Sequence, residues 1–170
     1  MEILGVVAFI AVIALIYWVI GKMQSAGAKA VNRAVHRKDV RRERELWDST
    51  WQWSTSVAWP IVRAAFDREL ASMASQLPDL KVIGEADNGV RIGFTFAGTR
   101  GAVLKYGLTG VSEYEFQAEL AQDGSTVAFE FAQVKTVDGV ARCVSQMEQC
   151  LAAVERAVRT ADPTAREIGT

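Results

Sequence analysis

The chain has 170 residues, half of them hydrophobic, a formal net charge of −1 and two cysteines. That length favours one domain with accessory segments. The near-neutral total conceals a split: Lys22–Arg44 carries +6 and the stretch from Glu45 to the C-terminus carries −6. An acidic body of this kind argues against a nucleic-acid partner.

The first element is Ile3–Ile20, ILGVVAFIAVIALIYWVI, which has no charged side chain. As a helix it is about 27 Å long at 1.5 Å per residue, close to the roughly 30 Å hydrocarbon core of a bilayer. It predicts a transmembrane anchor over residues 1–21, with Tyr17 and Trp18 at the interfacial aromatic belt. A cleaved signal peptide is the rival, because Ser25-Ala26-Gly27-Ala28 offers a small-residue site. Met1-Glu2 lacks the basic n-region of a secretory signal, which favours the anchor. Basic residues flank only the C-terminal end of the apolar run. The positive-inside rule then places the N-terminus outside and residues 22–170 in the cytoplasm. The expected location is the plasma (inner) membrane, crossed once. Gly5 is followed four on by Phe9 and Ala11 by Leu15, so the span lacks a small-residue dimerisation seam.

Residues 22–56 form the next segment, a basic juxtamembrane helix and a Trp-rich joint. Lys22, Lys29, Arg33, Arg37, Lys38, Arg41 and Arg42 are candidate contacts for an anionic membrane surface. A solvated stalk is the alternative. Val31 and Val35 share a face, but no heptad seam is sustained. The single histidine, His36, sits among cations on this arm and reads as a solvated residue. The stretch RELWDSTWQWSTSVAWP then holds four of the five tryptophans: Trp47, Trp51, Trp53 and Trp59. Trp47 and Trp51 are four apart and can share a helix face. The expected role of the cluster is to clamp the arm onto the body, with a partner-facing patch or membrane contact along a flat-lying arm as the alternatives, and it is the first candidate interface.

The body is expected over residues 57–162. Val62, Phe66, Leu70, Met73 and Leu77 make one apolar helical stripe in 61–77. Ser54, Thr55 and Ser56 are candidate N-caps. Pro60 then falls in the first turn, and Pro78 ends the helix. Leu80–Ala86 and Val90–Ala97 flank Asp87-Asn88-Gly89, a hairpin signal. Further strands are expected at Ala102–Leu108, around Glu113–Leu120, and at Thr126–Thr136, with Asp123-Gly124 as a turn. The alternation of Tyr114, Phe116, Ala118 and Leu120 with Glu113, Glu115, Gln117 and Glu119 implies an antiparallel sheet with one wet face. After Asp138-Gly139, the residues Val140, Val144, Met147, Leu151, Val154 and Val158 form a second helical stripe. Asp162-Pro163 stops it, and 163–170 reads as a flexible tail. The fold class is therefore α+β: a two-layer domain of about five antiparallel strands in a meander, with helices before and after on one face.

Cys143 and Cys150 are seven apart on one helix, roughly 10 Å along its axis. That exceeds disulfide reach, and two unpaired thiols fit a reducing compartment. No P-loop, nucleophile elbow or Cys/His ligand pattern is present, and no histidine lies in the body to activate a nucleophile. No catalytic residue, metal or cofactor is expected. The glycines of FAGTRGAVLKYGLTG read as turn punctuation rather than a phosphate nest.

Phe94, Phe96, Tyr106, Phe116, Phe129 and Phe131 are candidates to line an apolar pocket under the Cys143–Val158 helix. The order of elements in 61–160 resembles that of helix-grip lipid-binding domains, in which a meander wraps a long C-terminal helix. The resemblance implies an apolar small molecule or lipid between sheet and helix. It lies in element order alone, and the first strand and paired short helices of that family have no counterpart in this reading. The ordinary alternative is that these rings form a core. Taken together, the sequence predicts a non-enzymatic, membrane-anchored protein whose cytoplasmic domain is an interaction or regulatory module. Its expected partners are the lipid bilayer and another membrane or cytoplasmic protein, with a homo-oligomer also open. The membrane-tethered apolar pocket is the alternative function.

Overall fold

The computed structural model describes residues 37–96, 114–137 and 140–169. The predicted membrane span, the basic residues Lys22, Lys29 and Arg33, the strand expected at Ala102–Leu108, and Tyr106 all lie outside the described residues. No helix among the described residues is long and apolar enough to cross a membrane.

The described chain is α+β. It begins with α1 (Arg37–Asp48) and β1 (Thr50–Ser54), followed by α2 (Trp59–Met73). The hairpin β2 (Leu80–Ala86) and β3 (Gly89–Phe94) comes next, then the hairpin β4 (Phe116–Asp123) and β5 (Thr126–Val134). A small ribbon, β6 (Thr136–Val137) and β7 (Val140–Ala141), leads into α3 (Val144–Ala161), and β8 (Arg166–Gly169) ends the chain. Among the described residues the main sheet has six strands in the order β2-β3-β4-β5-β1-β8. Every neighbouring pair is antiparallel.

Two strands depart from the expected meander of about five. β1 lies between β5 and β8, so part of the Trp-rich joint belongs to the sheet. Its five residues, TWQWS, alternate aromatic and polar side chains, which suits a half-buried strand. The residues read as a loose tail supply β8, paired to β1. β8 shows no apolar alternation, being exposed at Arg166, Glu167 and Ile168. Its place follows from pairing with a strand 112 residues away in sequence, which no local pattern announces.

The core face carries Val90, Ile92 and Phe94 from β3, and Phe116, Ala118 and Leu120 from β4. β5 adds Val127, Phe129 and Phe131, and β1 adds Trp53. On β4 buried residues alternate with half-buried or exposed ones from Phe116 to Asp123, as expected for one wet face. Glu119 lies on the wet face in an ion pair with Arg91 at 2.6 Å. Glu115, assigned to that face from the alternation, is instead buried at 4 % exposure. Its peptide N–H donates to Phe94 O at 2.7 Å, one residue before β4 begins.

The helices pack on each other above this face. α2 buries Trp59, Val62, Ala65, Phe66 and Met73. It stops at Met73 rather than Leu77, although Leu77 is still buried at 4 %. Its N-cap position is Ala58, with no side-chain cap and with Pro60 in the first turn. α3 buries Met147, Cys150, Ala153, Val154, Ala157 and Val158. That face includes the small residues Ala153 and Ala157, which allow close approach between helices, whereas Val140 lies outside the helix in β7. An ion pair, Arg156 Nε to Glu69 at 2.9 Å, ties α3 to α2.

The β2–β3 turn forms where Asn-Gly marks a hairpin, one residue earlier than expected. Asp87 and Asn88 make the turn, and Gly89 already pairs with Ala86. Gly89 is constrained by space: a Cβ there would stand 3.2 Å from Ala121 Cβ and 3.3 Å from Leu120 O. In the β4–β5 turn, Gly124 does take a positive φ, 56°, the conformation glycine adopts most cheaply.

Candidate interaction surface

The joint between arm and body is made by α1. Leu46 is fully buried, which supplies its apolar contact. Glu43, three residues earlier, is buried at 5 % exposure, and its Oε2 accepts the peptide N–H of Ala141 at 2.8 Å. Arg42 Nε donates to Glu148 on α3 at 2.7 Å. The hydrogen bond from Arg42 to Glu148 is the main cause of a guanidinium pKa raised above its ordinary value. Arg42, a candidate membrane-surface residue, is therefore engaged with the body. Arg41 points outward with 82 % of its side chain exposed, alongside Glu45 at 3.4 Å. Arg37 and Lys38 open the helix.

The four tryptophans do not act as one cluster. Trp47, expected to share a helical face with Trp51, is 43 % exposed at the end of α1. The helix ends at Asp48 and β1 begins at Thr50, with Ser49 between them, so the helical i,i+4 geometry never forms. Trp51 is half-buried on β1 and pairs in register with Phe129. Trp53 and Trp59 are core residues. The clamp is thus Leu46, Glu43 and Arg42, while Trp47 is left on the surface. The sequence signal for Glu43 and Leu46 was slight: an acid and a leucine three apart in a strongly charged helix.

The five pocket candidates among the described residues, Phe94, Phe96, Phe116, Phe129 and Phe131, form a continuous ring row. Trp51 meets Phe129 at 6.0 Å and Phe131 at 6.1 Å. Phe129 meets Phe131 at 5.1 Å, and Phe131 meets Phe116 edge-on at 5.3 Å. Phe116 stacks on Phe94 at 5.4 Å, and Phe94 meets Phe96 at 5.1 Å. These spacings lie in the favourable range for aromatic pairs. The structure therefore joins two sets that the sequence kept apart, because Trp51 belongs to the phenylalanine row. The rings fill their own interface. A shallow open depression of about 260 Å³ lies elsewhere, over Gly84, Gly89 and Ala121, with Arg91 and Glu119 among its lining residues.

A second tie was hidden in the sequence. Asp162 had read only as a helix stop, and it is 4 % exposed. Its Oδ2 accepts the Ser56 N–H at 2.7 Å, the Ser56 hydroxyl at 2.9 Å and the Thr55 hydroxyl at 3.0 Å. Its Oδ1 accepts the Thr164 N–H at 2.9 Å and the Thr164 hydroxyl at 2.6 Å. These bonds, led by the Ser56 peptide, hold the carboxyl well below the usual carboxylate range. Thr55 and Ser56, expected as helix caps, are thus used to bind the C-terminal end of α3.

Both thiols are buried and free. Burial pushes Cys150 up to about 12. Burial, reinforced by the charges of Glu115 and Glu43, pushes Cys143 up to about 12 as well. Neither is poised as a nucleophile. Among the described residues no three His, Cys, Asp or Glu side chains gather to hold a metal ion. No protein-family model, curated protein or solved structure matches this chain.

Proposed function

We propose that this chain is a non-enzymatic, single-pass membrane protein whose cytoplasmic α+β domain is an interaction or regulatory module of a membrane assembly. In this reading residues 1–21 anchor the chain in the plasma (inner) membrane with the N-terminus outside. Residues 22–56 lead inward along the basic arm and the joint. The interacting body, whose sheet runs out to β1 and β8, faces a protein partner of the membrane or cytoplasm or a second copy.

The observation that carries this reading is the docking of α1. With Leu46 buried and Glu43 and Arg42 bonded to the body, the domain is held against the end of its tether. That same geometry leaves a large aromatic side chain, Trp47, outside, and exposed aromatics are common anchors of protein contacts. The apolar-pocket alternative is less well supported, because the candidate rings occupy the sheet face by packing on one another.

The test is site-specific photocrosslinking in cells from position 47 of the full chain, with position 71 on the exposed side of α2 as control. An adduct with a different membrane or cytoplasmic protein, specific to position 47, is the expected result. Equal labelling from both positions would overturn the reading.

A further inference from the structure

Two strand registers set Trp53 and Gln122 on either side of one residue, Val127. Directly opposed residues of antiparallel strands share a face. Here it is the core face: Trp53 is 2 % exposed, Val127 0 % and Gln122 8 %. With strands about 4.8 Å apart, the Cα atoms of Trp53 and Gln122 are about 10 Å apart.

Each of these two side chains keeps one buried polar atom without a protein partner. On Trp53 it is the indole Nε1–H, a donor, and on Gln122 it is Oε1, an acceptor. The orientation of the Gln122 amide is settled by its other end. Nε2 donates to Val57 O at 2.9 Å and to Gly124 O at 2.9 Å. A flipped amide would set an oxygen against two carbonyl oxygens. The unused acceptor is therefore Oε1, and only a donor can satisfy it.

We propose that this is an internal hydration site, in which one water accepts the Trp53 Nε1–H and donates to Gln122 Oε1. Water has the required chemistry, an acceptor and a donor on one atom. Two hydrogen bonds through a single oxygen span up to about 6 Å. That suits two long side chains rooted about 10 Å apart and reaching inward over a valine. Buried waters characteristically bridge groups that the fold has left unpaired. The position also has a structural consequence. Gln122 already holds Val57, which leads into α2, and Gly124 in the β4–β5 turn. The water extends that clasp to β1.

The experiment uses the full chain in detergent micelles with ¹⁵N-labelled tryptophan. Trp53→Phe assigns the Nε1–H signal. Water-selective NOE and ROE spectra then separate a bound water from proton exchange by the sign of the cross-peak. A long-lived water cross-peak at Trp53 Nε1–H, lost in Gln122→Met while the other indole signals stay in place, is the expected outcome. A water cross-peak that survives Gln122→Met would overturn the bridge. In the wild-type chain alone, the absence of a water cross-peak, or a cross-peak to a non-water proton, would overturn it without reliance on any variant's folding.

Discussion

Glu43 on α1 accepts the peptide N–H of Ala141 on β7 at 2.8 Å, in a place where the carboxylate is 5 % exposed. Ninety-eight residues separate the two in sequence. The bond joins the end of a basic arm to the ribbon that precedes α3. Glu43→Ala leaves the Ala141 N–H buried and unpaired, at a cost of about 1–3 kcal/mol. Glu43→Gln keeps an acceptor oxygen and recovers much of that. Denaturant midpoints measure the cost, and limited proteolysis between Arg44 and Ser56 shows whether α1 has loosened. Equal behaviour of the Ala variant and the wild type would exclude the bond as the joint.

Trp47 and Trp53 are six residues apart and differ sharply in environment. Trp53→Ala removes a core indole and costs about 3–5 kcal/mol. Trp47→Ala changes a surface residue and stays within about 0.5 kcal/mol. Equilibrium unfolding of both variants compares them directly. A large loss for Trp47→Ala would restore the clamp role that its sequence position suggested.

Asp162 makes stability pH-dependent in a definite direction. Its folded-state pKa is lowered, first by the Ser56 peptide N–H. A depressed carboxylate stabilises the fold above its unfolded value, about 3.9, and that contribution is lost as pH falls toward the folded value. Asp162→Ala is therefore expected to be less stable than the wild type at pH 7 and at pH 5 by a similar margin. Below about pH 4 the margin shrinks. Urea midpoints of the two chains across that range test the sign, and a margin that widened in acid would contradict the assignment.

Cys143 and Cys150 are expected to resist alkylation in the folded chain. Both are buried and both are pushed up to about 12, so the reactive thiolate is scarce at pH 8. Mass spectrometry after a short maleimide pulse is expected to show no adduct in native conditions and two in denaturant. Rapid native labelling of either thiol would mean that the α3 face opens locally.

Periodicity by itself determined the α2 stripe, the β2–β3 and β4–β5 hairpins, and the inward row from Phe116 to Leu120. Each is a local pattern, repeating every two or nearly every four residues, and local sterics and burial enforce it. The free state of the two thiols was likewise legible in their seven-residue spacing. Tertiary structure decided what is paired across long separations. TWQWS became a central strand because β5 and β8 bracket it, and REIG became an edge strand because β1 was there to pair with. The same distance in sequence hid Glu43 and Asp162, whose partners lie 98 and 106–107 residues away. A carboxylate's environment is set by what folds over it, so composition could register these two only as charges. The tryptophans divide the same way: their abundance in one segment was visible at once, whereas strand pairing settled that Trp51 and Trp53 turn inward, and the docking of α1 through Leu46 left Trp47 outside.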